Sequence, residues 1–595
     1  MIPQLWHKWI VLVTIVLLVI FLYKEYIRPA LTFFLAVILL MIVGVLTPGE
    51  ILAGLSNEPI ATIILLIILT AVLRRNYSIE LMFDSLFRRA RSVRSFLLQM
   101  MVTVASLSSI LNNTPIVAVM TPYVYQWGKR RSIAPSKLLM PLSFATMLGG
   151  MITLIGTSTN LVLNGFLSQS QETLLEFKDF LPLGVLVTVV GILYLITLGY
   201  KLLPENRDAL DALKANTREY VVETQIINGS TLVGKTVSGA GLRNLRGIYL
   251  VEIARGGRTI SPVSPEELLY HQDVLYFAGN TETVVDLINE DNGLVLPPQA
   301  TSDLIPGGAL EIVEAVIPAN SSLAGRTVKE ADFRQRYKAA IVAIHRNGEK
   351  VRGKIGNMRL QAGDLLLLSV GREFRRNMNQ MRELYVISRF SNPRQRRKNR
   401  YRRLFPPAAI ALIGCIGMGW IKLFPALLIL LSIAFLLKMA KIDDVKKEID
   451  FSMVAILVLS LALGNALLKT GGADLVARSF IAVANPLGTI GIVTGLFILT
   501  TILTSFVTNV AAVSIAFPIA YSLSRDLGLP PTALYLTIAF AASCAFLTPI
   551  GYQTNLMVYG PGGYTFRDFF RVGLPLVLIY ALTCILYIII RYQFI

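Results

Sequence analysis

Charge, cysteine and histidine are all scarce in this chain. Only 16% of its 595 residues are Asp, Glu, Lys or Arg, against roughly 25% in soluble globular domains. With 54% of positions apolar and a mean hydropathy of +0.61, a single water-soluble domain and a disordered chain are both excluded. The three cysteines, Cys415, Cys544 and Cys584, stand inside apolar runs without CxxC or Cys/His spacing, so neither a disulfide scaffold nor a zinc site is expected. Acidic residues are missing over long stretches. There is no Asp or Glu from Ser85 to Gln171, and no charged residue of either sign from Ser479 to Ser524 or from Leu527 to Phe566.

What the chain has instead is apolar runs near bilayer length, about 20 residues. Ten candidate spans are 9–23, 29–47, 59–73, 139–165, 178–202, 406–420, 424–440, 451–469, 532–558 and 569–590. The first could be a signal peptide, but no small-residue cleavage site follows and the next segment is again apolar, so it reads as a retained helix. Two more runs, about 97–126 and 487–522, carry polar clusters at their centres: Asn112-Asn113-Thr114-Pro115, and Thr504-Ser505 to Thr508-Asn509. These suit re-entrant helical hairpins that enter and leave on one side. The net charge of +19 and pI near 9.8 fit cytoplasmic loops better than nucleic acid. Basic clusters fall at Lys24/Arg28, Arg74/Arg75, Arg88 to Arg94, Lys129 to Lys137, and Arg389 to Arg403, where eight of fifteen residues are Lys or Arg. Placing them all inside starts the chain outside, brings it in by residue 203, returns it to the membrane near 404 and ends it outside. The two halves are then inverted.

The strongest signal is an internal repeat. Ile155-Gly156-Thr157-Ser158-Thr159-Asn160-Leu161 with Gly165 matches Ile550-Gly551-Tyr552-Gln553-Thr554-Asn555-Leu556 with Gly560, which is IGxxTNLxxxG twice. Upstream, Asn113 with Pro122 matches Asn509 with Pro518, and the Asn-to-Asn spacing is 47 in one half and 46 in the other. Matched order and distance mean a duplicated architecture. A Gly- and Pro-punctuated break at membrane depth persists only when buried in protein or facing a watery site. Broken helices offer N–H groups to an anion and carbonyls to a cation. A proton relay needs a titratable group in the membrane. A site of Asn, Ser, Thr and carbonyls instead holds sodium without titrating, and an anionic co-substrate completes the charge balance.

These hairpin motifs and IGxxTN loops resemble the divalent anion/sodium symporter family, within the wider ion transporter superfamily, over roughly residues 50–203 and 404–590. The resemblance implies an all-α polytopic inverted-repeat membrane protein of the elevator type, usually a homodimer, with sodium ions as co-transported species and no prosthetic group. Carried over by position, Asn112, Asn113 and Thr114 form the first hairpin motif and Thr508, Asn509 and Val510 the second. Sodium roles fall on Ser108, Asn113, Gly156 and Asn160, and on Thr504, Asn509, Gly551 and Asn555. Thr157, Ser158, Gln553 and Thr554 are expected to shape the loops and contact substrate. The second motif ends in Val510, which lacks the hydroxyl that carboxylate-transporting members use, so sulfate is expected ahead of dicarboxylates. The implied location is a bacterial inner membrane.

Between 204 and 403 hydropathy falls and a second duplication emerges. Leu232-Val233-Gly234-Lys235-Thr236-Val237 matches Leu323-Ala324-Gly325-Arg326-Thr327-Val328, and each glycine is followed 39 residues later by an aspartate, Asp273 or Asp364, opening an apolar strand. These two small α+β units, about 218–288 and 309–388, resemble TrkA-C (RCK C-terminal) domains. That implies a cytosolic insert that binds a small regulatory ligand or assembles the dimer. The domain plan is then 1–203, a first membrane repeat; 204–308 and 309–388, the two units; 389–403, a basic linker; and 404–595, the second repeat. Gly229 to Thr236 satisfies the phosphate-loop pattern GxxxxGK[ST], but Gly239, Gly241 and Gly247 follow closely where a long helix should open. No nucleotide hydrolysis is expected from it. A channel gated by the insert lacks a TVGYG-like filter, an antiporter lacks the intramembrane carboxylate, and a membrane enzyme lacks any visible nucleophile/base set. No nucleic-acid partner is expected, and lipid surrounds the membrane halves.

Overall fold

A bilayer offers its embedded backbone no water, so each apolar run must close its own hydrogen bonds as helix. The structure, a computed structural model, describes residues 4–24, 29–76, 87, 92–206, 405–418, 420–439, 451–484 and 487–594, and in the insert 221–279, 294–295 and 312–387 with short gaps. Arg88, Arg89, Arg91 and the Arg389–Arg403 linker lie outside the described residues. The first half contains α1 (Gln4–Lys24), α2 (Pro29–Ile42), α3 (Pro48–Leu52) and α4 (Glu58–Asn76), then a hairpin of α5 (Val93–Ser108) and α6 (Asn113–Arg130). A helix interrupted at its middle follows, α7 (Leu139–Gly150) and α8 (Ser158–Gln169), and α9 (Phe177–Tyr194) runs on through a π turn to Leu202.

After the insert, with its short helix α10 (Phe333–Tyr337), the pattern returns. It comprises α11 (Phe405–Gly417), α12 (Leu423–Leu436), α13 (Phe451–Lys469) and α14 (Gly472–Ala484), the hairpin α15 (Gly488–Phe506) and α16 (Asn509–Leu527), the interrupted pair α17 (Pro531–Ala542) and α18 (Gln553–Tyr559), and α19 (Phe566–Arg591). Each expected span contains helix, but 139–165 and 532–558 are each two helices with a non-helical break between them, at 151–157 and 543–552. Six described helices are long and apolar enough to cross a membrane, up to seven if the bent pair Pro48–Ser56 and Glu58–Leu73 is one span, making this a polytopic membrane protein. Two features differ from expectation. Helix α14 is hidden by Asp474 and Arg478, which break its apolar run: both are exposed, Asp474 accepting from the Ser522 hydroxyl of α16 at 2.6 Å, while Ala473 and Ala477 join the core. The hairpin arms are 16, 18, 19 and 19 residues long. Both arms of the second reach crossing length, so length alone does not separate re-entry from a pair of crossings. Either path returns the chain to the side it left.

The packing repeats as the sequence does. Both hairpin arms, α5 and α6, lie on α7, and both α15 and α16 lie on α17. The halves interlock through α18 on α6 and α8 on α16, where the Phe166 and Phe517 rings stack with centroids 5.0 Å apart. A second group of helices pairs across the halves too, α2 with α13 and α4 with α12.

The insert forms two antiparallel sheets. In the first, β1 (Val221–Ile226), β2 (Ile248–Arg255), β3 (Arg258–Ile260), β4 (Val274–Gly279) and β5 (Leu294–Val295) lie in the order β3-β2-β4-β1-β5. In the second, β6 (Ile312–Val316), β7 (Ala339–Arg346), β8 (Glu349–Lys350), β9 (Leu365–Val370) and β10 (Tyr385–Val386) take the matching order β8-β7-β9-β6-β10. The repeated aspartates acquire a reason here. Arg255 grips both oxygens of buried Asp273 at 2.8 and 2.9 Å, and Arg346 grips buried Asp364 at 2.7 and 2.8 Å. Such forked, charge-assisted pairs fix geometry as well as contribute energy. After Thr236 the described residues up to β2 are turns and open no helix, unlike a phosphate-binding loop.

The second sheet docks on the membrane half. The Tyr125 hydroxyl of α6 donates to Glu314 at 3.0 Å, and Val316, Leu365 and Ile387 join the membrane core. Gly560, at the end of the second repeat motif, abuts the insert so closely that a Cβ would sit 2.6 Å from the Gly363 carbonyl oxygen. Its counterpart Gly165 meets the side chain of Asn57 at 3.1 Å instead. Backbone yields less than a side chain, so Gly560→Ala should lower the thermal midpoint by the equivalent of roughly 1–3 kcal/mol of overpacking and Gly165→Ala by clearly less. Differential scanning calorimetry of the two variants in detergent checks this; equal midpoints would refute it.

Candidate functional site

Each interrupted helix leaves amides and carbonyls without helical partners, and a threonine meets them in both halves. The Thr153 hydroxyl donates to the Ser109 carbonyl and accepts from the amides of Ile155 and Gly156 at 3.1 and 3.2 Å. The Thr548 hydroxyl donates to the Ser505 carbonyl at 2.8 Å and accepts from the Gly551 amide at 3.1 Å. Each threonine therefore ties a broken loop to the tip of its hairpin. Glycine allows the close approach. A Cβ on Gly156 would lie 2.6 Å from the Ser108 carbonyl oxygen, and one on Gly551 would lie 3.1 Å from that of Thr504.

The eight residues assigned to sodium fall into two matching groups. The single Ser108 hydroxyl proton lies between Asn113 Oδ1 and the Thr146 carbonyl, and that of Thr504 between Asn509 Oδ1 at 2.9 Å and the Ala542 carbonyl at 2.5 Å. Asn160 Nδ2 donates to the Thr153 carbonyl at 3.1 Å, and Asn555 Nδ2 to that of Thr548 at 3.2 Å. All six side chains of the two groups are buried. One difference stands out. Asn555 Oδ1 accepts from Ser143 at 2.7 Å, whereas Asn160 Oδ1 is buried with no hydrogen-bond partner among the described residues. A buried acceptor without a donor costs about 1–3 kcal/mol unless something fills it. A carbonyl oxygen so placed has a lone pair to offer an oxygen-seeking cation.

The residues assigned to loop shape and substrate are dispersed more widely. Thr114 donates to Gln553 at 3.1 Å, and Asn113 Nδ2 donates to the Tyr552 hydroxyl at 2.8 Å, so the first hairpin is bonded directly to the second loop. Thr157 is also within hydrogen-bonding reach of that hydroxyl. Asn112 and Ser158 line a small pocket against Ile63, Ile67 and Thr70 of α4. Thr508 is exposed and caps α16, Thr157 caps α8, and Val510 is half-buried. Thr554, expected to shape the loop and contact substrate, is fully buried with its hydroxyl against that of Ser143. The N-termini of α6, α8 and α16 begin at these loops, which places positive helix ends beside the polar groups. Thr153, Thr548, Ser143 and Tyr552 were missed as participants. The two threonines had a signal: each precedes its repeat asparagine by seven residues, so the motif is really TxIGxxTNLxxxG. A separate cavity of about 550 Å³, lined by Phe166, Asn465, Lys469, Asp474, Tyr521 and Arg525, lies toward the far ends of α8, α13 and α16.

Thr153→Val and Thr548→Val keep shape but strand a hairpin-tip carbonyl in each half together with the loop amides, two in the first and one in the second. Each should destabilise the protein by about 1–3 kcal/mol and reduce transport more than tenfold. A detergent thermal melt with an uptake assay tests both; a variant with unchanged midpoint and rate would show that the hydroxyl does not hold the break.

Residues 10–344 and 398–594 match the family model described as citrate transporter. Over 93% of its own length and 97% of the relative's, the chain is 32% identical to a Chlamydomonas reinhardtii protein named "Putative sulfur deprivation response regulator". It is 33% identical to an uncharacterized transporter of Synechocystis sp., over 94% of this chain and 93% of the relative. It is 31% identical to sodium/sulfate cotransporter 2 of Chlamydomonas reinhardtii, over 54% of this chain and 38% of that longer relative. An integral membrane protein built of two like halves, the chain belongs to the citrate transporter family.

Proposed function

We propose that the protein is a secondary-active, sodium-coupled importer of a divalent anion, with sulfate the favoured substrate. The observation that carries the reading is the pair of equivalent Ser/Thr–Asn–carbonyl networks, one of them with the unpartnered Asn160 Oδ1, in membrane stretches without any carboxylate. Ser108, Asn113, Gly156 and Asn160 would hold one sodium ion, and Thr504, Asn509, Gly551 and Asn555 another. Two monovalent cations balance a divalent anion, so the loaded site carries little net charge into a low dielectric. Asn112, Thr114, Ser158, Thr508 and Gln553, at or beside the exposed loop faces, would meet the anion together with the helix N-termini. The names of the sodium/sulfate cotransporters among its relatives support sulfate.

In this reading the hairpins and interrupted helices move as one body against the α2/α13 and α4/α12 group, an elevator motion in a homodimer. The insert, resembling paired TrkA-C domains, lies in the cytoplasm of a bacterial cell. The basic loops support that orientation. A second reading, transport of a di- or tricarboxylate, is favoured by the citrate transporter family match and opposed by Val510, which cannot hydrogen-bond a carboxylate.

Uptake of labelled sulfate into proteoliposomes, with and without an inward sodium gradient, decides between them. Sodium-dependent uptake that resists succinate and citrate but yields to molybdate is expected; strong competition by succinate or citrate would move the substrate to carboxylates. Asn113→Ala and Asn509→Ala should each abolish the sodium-dependent component with expression intact. Wild-type sodium affinity in both would overturn the assignment of the sites.

A further inference from the structure

The two repeats differ at one position in a way that packing alone does not require. Thr157 and Tyr552 occupy the same place in IGxxTN. Thr157 caps its own helix, donating to the Thr159 hydroxyl at 3.2 Å and accepting from the Thr159 amide at 3.4 Å, with its oxygen also within reach of the Tyr552 hydroxyl. Tyr552 gives its helix no side-chain cap. Its hydroxyl instead accepts from Asn113 Nδ2 at 2.8 Å, in the opposite repeat. The neighbouring pair reinforces the asymmetry: Thr114 bonds Gln553, while their repeat equivalents, Val510 and Ser158, include an apolar side chain that can make no such bond.

This bond, together with the one Tyr552 makes to Thr157, bears on which way the Asn113 amide faces. The side chain is 2% exposed, with Oδ1 toward Ser108 and the first loop and Nδ2 toward Tyr552. A half-turn of the amide would exchange the two ends and place N–H groups, which repel a cation, where an oxygen ligand is needed. The Thr157 hydroxyl gives its own proton to Thr159 and is bonded to Tyr552, so the phenol O–H goes to Thr157 and the phenol oxygen is left as the acceptor that holds Nδ2 outward and Oδ1 inward. We propose that Tyr552 is the positioning residue of the first repeat's cation site, so that this site is complete only while the second repeat's loop is seated against it. The inference rests on the sodium reading above and adds the link between the halves. Cation binding at the first repeat thereby favours the seated position of Gln553, beside Tyr552 and among the groups offered to the anion, which is a physical route for coupling ion to substrate.

The test is the sodium-dependent rise in thermal midpoint of the full-length protein, titrated with sodium chloride against choline chloride, alongside sulfate uptake. Tyr552→Phe, which keeps the ring, should raise the half-saturating sodium concentration about tenfold while uptake at saturating sodium stays within about twofold of the unmodified protein. In the Asn113→Ala background, where only the second network binds, adding Tyr552→Phe should change nothing further, whereas a purely structural role would persist. An unchanged half-saturation in Tyr552→Phe, or an equal effect in both backgrounds, overturns the inference alone. Absence of any sodium-dependent shift in the unmodified chain overturns the sodium reading and this inference with it.

Discussion

The rest of the structure depends on one constraint: a helix interrupted at membrane depth must find partners for the backbone groups it frees. The protein answers it identically twice, with a threonine seven residues before an asparagine and a hairpin whose tip presents the missing carbonyl. Once these bonds are made, the hairpin tips, the two broken loops and three helix N-termini lie beside one another, and their polar groups are neutral. Such a region can receive ions of either sign without a permanent charge in the membrane. In the reading proposed above, the same groups that repair the backbone would also supply the chemistry.

Duplication supplies the frame, and departures from it supply direction. Positions that bear on the breaks are kept in kind: Ser108 with Thr504, Asn113 with Asn509, Thr153 with Thr548. Positions facing across the halves are not. Tyr552 replaces a threonine, Val510 replaces a threonine, and the closing glycines Gly165 and Gly560 make room for different neighbours, the Asn57 side chain and the backbone of the insert. The second α+β sheet therefore rests on α6 and the end of α18, two elements whose other ends carry Asn113 and Gln553. Tyr125 lies twelve residues along α6 from Asn113, about 18 Å of rigid helix at 1.5 Å per residue. The insert is mechanically close to the site while chemically remote from it.

Much of this was legible without coordinates because it is local and repeated. Hydropathy marks the spans, Asn, Pro and Gly mark the hairpin tips and breaks, and a spacing of 47 against 46 residues pairs them. The insert's repeated glycine and aspartate announced two equivalent sheets, whose strand orders match. What escaped was of two kinds. Helix α14 has too mixed a composition for a hydropathy argument, and its burial depends on alanines packed by neighbours far along the chain. The bonds of Asn113 to Tyr552, Ser143 to Asn555 and Tyr125 to Glu314 join residues 189 to 439 positions apart, between elements whose proximity no local pattern encodes.

By itself, then, the sequence determined the membrane class, the duplication and the identity of the polar groups at each break, since hydrophobicity and backbone satisfaction act over one or two helical turns. Only the tertiary structure decided which oxygen of the asparagines is engaged, which loop meets which hairpin, and which glycine bears the insert. Those outcomes turn on how two interlocked halves pack, and a hydrogen bond across 439 residues exists only after the packing has brought its partners within 3 Å.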